Sequence, residues 1–345
     1  MRILLATDAW HPQINGVVRT YENVIDNLRA RGHVVEVIAP QDFVTVPCPT
    51  YPSIKLALMP GSKIKKRIKA FAPDAIHIAT EGPIGMAARS ICIKQKLPFT
   101  TSFHTQFPEY IRMRVPFPVK WSYAWFRNFH NLAARTMVAT TSQKKSLQEH
   151  GINKLVMWSR GVNTKLFYPR PHLKQDLAEP VFIYVGRVAV EKNIEAFLRL
   201  DLPGKKRVIG DGPDLNKLIK KFPRVEFTGF KTGVDLAELI ASGSVFVFPS
   251  LTDTFGIVML EAMACGLPVA AFPVTGPIDV VKQGETGILD QDLQKAALTA
   301  LEIDPETCVQ FARQNSWQRC ADTFLENLEP IMGSNFIMSS DREYA

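Results

Sequence analysis

At 345 residues and 46% hydrophobic content, the chain exceeds the size that one hydrophobic core usually serves, so two domains are expected. Its five cysteines, Cys48, Cys92, Cys265, Cys308 and Cys320, form neither a C-x-x-C pair nor a metal-ligand spacing, which fits a reducing, cytoplasmic setting and argues against thiol chemistry. The net charge of +8 is uneven, with +15 in residues 1–171 and −7 in the remainder, so an anionic surface or substrate is expected to face the first half; membrane headgroups and nucleic acid both satisfy that condition.

The opening MRILLATDAW breaks at Asp8 and has no cleavage-site pattern, so it reads as a strand and not as a signal peptide. After it come a turn-rich loop, HPQINGVV, an amphipathic helix over RTYENVIDNLRARG stopped at Gly32, and a second strand, HVVEVIAP. Apolar runs at AIHIAT, FTTSFHT and TMVATT alternate with helical stretches, which predicts a parallel sheet covered on both faces. No apolar run approaches the ~20 residues that would span a bilayer, so any membrane contact is expected to be peripheral.

Residues 168–180, YPRPHLKQDLAEP, read as a linker, and beyond them the plan restarts. VFIYVGR, KRVIGDG, RVEFTGF, SVFVFPS and PVAAFPV are five predicted strands separated by helices such as DLNKLIKKF and VDLAELIASG. The expected fold is therefore α/β, two doubly wound Rossmann-like domains with the ligand site in a cleft at the carboxyl ends of the strands. The expected bounds are 1–170 and 178–310, with a helix near 311–333 packing back on the first domain and a tail at 334–345.

Three segments point to an anionic ligand. In DAWHPQINGVVRT, Gly16 sits just ahead of a helix, where it serves either a tight turn or a phosphate approached by backbone N–H groups. In YVGRVAVEKN, Arg187 and Lys192 follow a strand; they either neutralise a diphosphate or form a solvated charge cluster with Glu191. In PSLTDTFGIVMLEAMACGLPVAA, Asp253 precedes a turn and Glu261 stands inside an otherwise apolar helix. A carboxylate there needs a polar partner to offset desolvation, and a pair of ligand hydroxyls supplies one. The backbone N–H groups of Phe255, Gly256 and Ile257 open that helix towards a phosphate.

Together the N-G loop, the R-x4-K pair, the G-D-G-P turn at 210–213 and the acidic-x7-E helix followed by A-C-G-L-P-V resemble the retaining, GT-B-fold glycosyltransferase family 4 over essentially the whole chain. The resemblance implies that Arg187 and Lys192 bind the donor diphosphate and that Glu261 holds the ribose hydroxyls. It further implies that Asp253 lies near the sugar hydroxyls, where the family usually has glutamate, and that Phe255, Gly256 and Ile257 contact sugar and phosphate through their backbone. Gly16 would lie beneath the diphosphate, His104 in SFHTQF would stand close to the sugar, and the base would be read around Phe230 and at Gly210 and Gly212. Catalytic roles thus fall to His104 and Asp253.

The implied activity is transfer of a hexose from a nucleotide-sugar, GDP-mannose first and UDP-glucose second, to a lipid-linked or glycan acceptor at the inner membrane face, with retention. No cofactor and no metal are expected; Asp290 and Asp292 make a D-x-D pair but stand where a helix N-cap is wanted. A basic helix over GSKIKKRIKAF, with Ile64, Ile68 and Phe71 on one stripe, and YIRMRVPFPVKWSYAWFRNF, with Arg112, Arg114, Lys120 and Arg127 among Trp121, Tyr123, Trp125 and Phe126, fit an anionic membrane surface or helices packed on a sheet. A same-fold sugar-nucleotide epimerase, or a basic nucleic-acid-binding protein, is the alternative, although no nucleic-acid module is recognisable and no nucleic-acid partner is expected.

Overall fold

In the computed structural model, residues 1–13, 15–48, 51–104, 119–173, 178–251, 253 and 255–331 are described. They divide into two compact units, one drawn from 1–139, 144–158 and 321–331, the other from 140–143 and 159–320.

The first unit is built on six parallel strands in the order β2-β1-β5-β6-β7-β8: β1 (Arg2–Ala6), β2 (Val34–Ile38), β5 (Ala75–Ile78), β6 (Thr100–Phe103), β7 (Arg135–Val138) and β8 (Leu155–Met157). An antiparallel hairpin of β3 (Thr45–Cys48) and β4 (Tyr51–Ala57) was not foreseen; proline inside a run weakens its strand signal. The first helix, Gly16–Ala30, starts three residues earlier than its apolar period predicts. Asn15 caps it, Oδ1 accepting from the N–H groups of Val17 and Val18 at 3.0 Å each.

Helix Gly61–Phe71 turns Ile64, Ile68 and Phe71 into the core against Leu4, Ile76 and Ile84, so its apolar stripe is a packing face. Its basic face remains outside, with Lys65, Lys66 and Lys69 exposed and Arg67 bound to Glu36 at 2.6 Å and Asp42 at 2.7 Å. The same holds for helix Val119–His130, where Tyr123 and Phe126 pack with Phe103, Val138 and Leu147 while Trp125 and Arg127 are exposed. Arg112 and Arg114, and the side chains of Lys120 and Trp121, lie outside the described residues.

The second unit carries another six-stranded parallel sheet, ordered β11-β10-β9-β12-β13-β14, from β9 (Val181–Val185), β10 (Lys205–Ile209), β11 (Glu226–Gly229), β12 (Val245–Phe248), β13 (Val269–Ala271) and β14 (Gly287–Leu289). Strands β9 and β12 are buried along their whole length, as central parallel strands are. β14, like β8 in the first unit, was missed in the sequence; three residues are too short to show a period.

The unit boundary differs from the expected one at residue 170. Residues 159–173 cluster with the second unit, where Gly161 backs onto Trp317 and Arg170 stacks 4.0 Å over Tyr168; Lys174–Leu177 of the expected linker lie outside the described residues. The closing helical segment is two helices, Pro305–Gln314 and Trp317–Asn327. Residues 321–331 belong to the first unit: Phe324 packs on His77 and Trp158, and Ile331 N–H donates to Asp74 O at 2.7 Å. The expected tail at 334–345 lies outside the described residues.

Candidate functional site

In the second unit the strand order reverses between β9 and β12, and the loops that leave their carboxyl ends form the crevice where such sheets take ligands. The loop after β9 carries Gly186, Arg187 and a 3-10 turn, Val190–Lys192; the loop after β12 carries Asp253, Phe255 and Gly256. Three hydrogen bonds clasp them. Lys192 Nζ donates to both oxygens of Asp253, at 2.6 and 2.8 Å, and Asn193 Nδ2 donates to Pro249 O at 3.1 Å.

Arg187 is set from below. The buried Tyr184 hydroxyl donates to Arg187 O at 2.9 Å, and burial, followed by the charges of Asp253 and Glu191, raises the Tyr184 pKa so that its proton stays in place. The Arg187 guanidinium is exposed and only 3.7 Å from Glu191, a surface contact of small worth. It is thus the cation of the pair that a ligand meets with least to displace.

The third loop, after β10, lies against the first. Val188 N–H donates to Asp211 O at 2.8 Å and Asp214 N–H to Val188 O at 3.1 Å. Gly210 and Gly212 allow this approach, since a Cβ would stand 1.9 Å from Gly186 O at the former and 2.2 Å from Val188 O at the latter. Phe230 follows β11 and is exposed.

Gly256, at φ +76°, turns the chain into helix Ile257–Ala264. A side chain there would be strained in its backbone and would meet Met259 Cε at 2.8 Å. Within the helix Glu261 is 8% exposed between Leu260 and Ala262, both buried, and Phe255 is buried at the loop's end. The second unit therefore brings Arg187, Lys192, Gly210, Gly212, Asp253, Phe255 and Gly256 into three adjoining loops, with Ile257 and Glu261 on the helix that leaves them and Phe230 one strand further out.

The first unit holds Gly16 and His104. The N–H groups of Val17 and Val18 are bound to Asn15, so an anion at Gly16 would find two of the first helical donors already used. His104 follows β6, and its Nε2 is 2.9 Å from the hydroxyl of Tyr21, a residue on the buried face of Gly16's helix. Tyr21 thereby joins the two sites. It reads in sequence as plain helix core, as His77 reads as plain strand core, and neither was foreseen. Asp8 was also missed: Oδ1 accepts from Ile84 N–H at 2.8 Å and Oδ2 from Gly85 N–H at 3.2 Å and Thr80 Oγ1 at 2.9 Å, capping helix Pro83–Gln95. Burial raises the Asp8 pKa against the opposing pull of those bonds.

Asp292 is the N-cap of helix Leu293–Ala300, accepting from Gln294 and Lys295 N–H, and Asp290 pairs with Lys295 at 2.8 Å. Asp292 is thus accounted for by helix capping and Asp290 by its ion pair with Lys295. No helix among the described residues is long and apolar enough to cross a membrane.

Residues 14–166 match the sequence model of Glycosyltransferase Family 4 and residues 179–302 that of Glycosyl transferases group 1. The GDP-mannose-dependent alpha-mannosyltransferase of Mycolicibacterium smegmatis is 34% identical, the match covering 96% of this chain and 98% of the relative. The protein of the same name from Mycobacterium tuberculosis is 31% identical over 316 residues, 84% and 83% of the two chains. Alpha-monoglucosyldiacylglycerol synthase of Streptococcus pneumoniae is 24% identical, covering 97% and 87%. Among solved structures, a glycosyltransferase from Rickettsia africae superposes with a TM-score of 0.73 at 17% identity, covering 94% of this chain and 97% of that one. Anabaena HepE in complex with UDP and glucose gives 0.70 at 17%, covering 94% and 98%. The fold is GT-B.

Proposed function

Because the chain belongs to glycosyltransferase family 4, the group 1 glycosyltransferases, we propose that it transfers mannose from GDP-mannose to a lipid-linked or glycan acceptor at an anionic membrane face, with retention of configuration and without a metal. The observation that carries this reading is the clasp of Lys192 and Asp253 across the strand-order reversal, with Arg187 exposed beside it. The mannose donor draws its support from the GDP-mannose-dependent relatives, and the acceptor side from the diacylglycerol-glycosylating relative together with the exposed lysines of Gly61–Phe71.

In this reading Arg187 and Lys192 take the diphosphate. As the C1–O bond of the donor breaks, negative charge gathers on the leaving phosphate, and two fixed cations stabilise it where other folds use a metal ion. The acceptor oxygen bonds to C1 on the face that the phosphate leaves, and its proton passes to a leaving-phosphate oxygen. Asp253 holds sugar hydroxyls, Glu261 the ribose hydroxyls, and the backbone of Phe255, Gly256 and Ile257 the phosphate and sugar. Phe230, Gly210 and Gly212 border the base, Gly16 underlies the diphosphate, and His104 meets the sugar.

The test is a panel of nucleotide-sugars, each supplied with membrane extract and EDTA, with the product's anomeric configuration read by NMR. GDP-mannose should give an α-mannoside. Transfer from UDP-glucose alone would overturn the donor, an inverted product the stereochemistry, loss of activity in EDTA the metal-free reading, and an isomerised donor without acceptor product the transferase itself.

A further inference from the structure

The first sheet reverses its strand order as the second does, with β2 on one side of β1 and β5 on the other. The loops that leave the carboxyl ends of β1 and β5 therefore frame a second crevice of the kind that takes ligands. Its two loops are joined at the base: Asp8 N–H donates to Thr80 Oγ1 at 2.6 Å, and a Cβ at Gly82 would stand 2.4 Å from Asp8 Cγ. In the loop after β5, Glu81 is turned to the buried His130, 3.2 Å from Nε2. Gly16 and His104 are assigned to the donor, so no side chain is yet assigned to the acceptor's hydroxyls.

His11 stands in the loop after β1 with its side chain 55% exposed, yet its ring is held from two sides. Nε2 is 2.5 Å from Glu22 Oε1, on helix Gly16–Ala30, and the Trp10 ring meets the imidazole edge-on with centroids 5.9 Å apart. A pair so exposed contributes little to stability; its effect is to orient the ring. A carboxylate oxygen accepts, so the proton of this bond sits on Nε2 in the neutral and the charged ring alike, and Nδ1 is the atom left for a ligand. A hydroxyl can donate to Nδ1 of the neutral ring or accept from it when the ring is charged. A phosphate oxygen suits only the charged ring, and the N–H groups of Val17 and Val18, which could have helped an anion, are bound to Asn15.

We propose that His11 binds an uncharged polyol hydroxyl of the acceptor through Nδ1, with Glu22 as the positioning residue that fixes the ring. This rests on the reading of the chain as a transferase and adds to it a side chain that meets the acceptor. Trp10, half-buried beside the imidazole, supplies an aromatic wall on the same loop.

The test takes whichever nucleotide-sugar the wild-type full chain turns over, with membrane extract as acceptor. It reads the extract concentration at half-saturation, and beside it the affinity for the donor's nucleoside diphosphate by calorimetry. His11→Ala should raise the half-saturating concentration about tenfold, as loss of one hydrogen bond allows, with diphosphate affinity held within about twofold. Asparagine places its amide near Nδ1 and glutamine near Nε2. His11→Asn should therefore stay within about threefold of wild type for the acceptor, while His11→Gln, which keeps a partner for Glu22, should resemble His11→Ala. Glu22→Ala leaves the ring unheld and should raise the acceptor value about threefold. Rescue by Gln and not by Asn would make the pair a brace between loop and helix and overturn the proposal. An unchanged acceptor value in His11→Ala, or an equal loss of diphosphate affinity, would also overturn it while leaving the transferase reading intact. An isomerised donor with no transfer product in the wild type would remove both together.

Discussion

Lys192 and Asp253 face each other across the point where the second sheet reverses its strand order, the ammonium bonded to both carboxylate oxygens at 2.6 and 2.8 Å. Each is assigned to the donor, one to its diphosphate and the other to its sugar. Donor binding must therefore share or replace this bond. Asp253→Ala releases the lysine, so GDP, which lacks the sugar, should bind several-fold tighter to the variant in calorimetry. Mannose transfer should fall by about 10²-fold, the worth of charge-assisted hydrogen bonds lost at the sugar. Weaker GDP binding would mean that Asp253 serves to hold the loop and not the sugar.

Glu261 separates nucleotide from sugar recognition. It is 8% exposed inside an apolar helix, so a ligand hydroxyl pair reaching it exchanges few water contacts. Glu261→Gln keeps the volume and removes the charge; the donor KM should rise about tenfold with kcat held within about threefold, because ribose contacts persist from ground state to transition state. A fall confined to kcat would place Glu261 at the reacting sugar instead.

The acidic half of that motif was legible because a carboxylate in FGIVMLEAMACG breaks a rule of burial, and rule-breaking is what a single sequence shows best. Arg187 and Lys192 were legible by their place after a strand. Tyr21 and His77 were not, because each obeys its local pattern: a tyrosine on the inner face of a helix and a histidine in an apolar strand look like core, and only the parallel pairing of β1, β5 and β6 brings them to His104. The basic stripes left two readings open in the sequence. Their apolar residues mark the face that packs, and periodicity alone does not say whether a sheet or a bilayer receives it.

His77 gives the first unit an acid-side weakness. Its folded pKa, about 3, lies below the ordinary value of 6.5, so folding favours the neutral ring. The stability this contributes is complete above about pH 6.5 and is lost as pH falls from there towards 3, because the unfolded chain takes up the proton first. Between pH 7 and 5 the loss from this one group is about 2 kcal/mol. Urea denaturation of wild type and His77→Gln at both pH values should show that difference in pH dependence, whatever the variant's absolute stability; parallel curves would place the buried proton elsewhere.

Gly210→Ala tests the contact between the loops after β9 and β10. The added Cβ would stand 1.9 Å from Gly186 O at a φ of +151°, so neither a rotamer change nor a side-chain shift relieves it. The loop bearing Arg187 must move. The variant should lose about 1–3 kcal/mol of stability and most of its donor affinity. Gly32→Ala provides the control: its φ is +81° but no atom lies within 4 Å of the new Cβ, so it should cost stability alone.

Membrane attachment is expected to depend on charge more than on insertion. Ile64, Ile68 and Phe71 are at most 8% exposed and packed in the core, so helix Gly61–Phe71 has no apolar face to bury in lipid without unfolding its own unit. Lys65, Lys66 and Lys69 are exposed on the opposite face. Near an anionic leaflet each lysine is worth about 1 kcal/mol, so replacing all three by Gln should weaken binding to anionic vesicles by about 10²-fold. Binding should also fall steeply between 50 mM and 300 mM salt, as the Debye length shrinks below about 10 Å. Circular dichroism should be unchanged by the substitutions, since none of the three side chains is buried. Salt-insensitive binding by the triple variant would instead assign attachment to apolar groups such as Trp125, which is exposed on the helix Val119–His130.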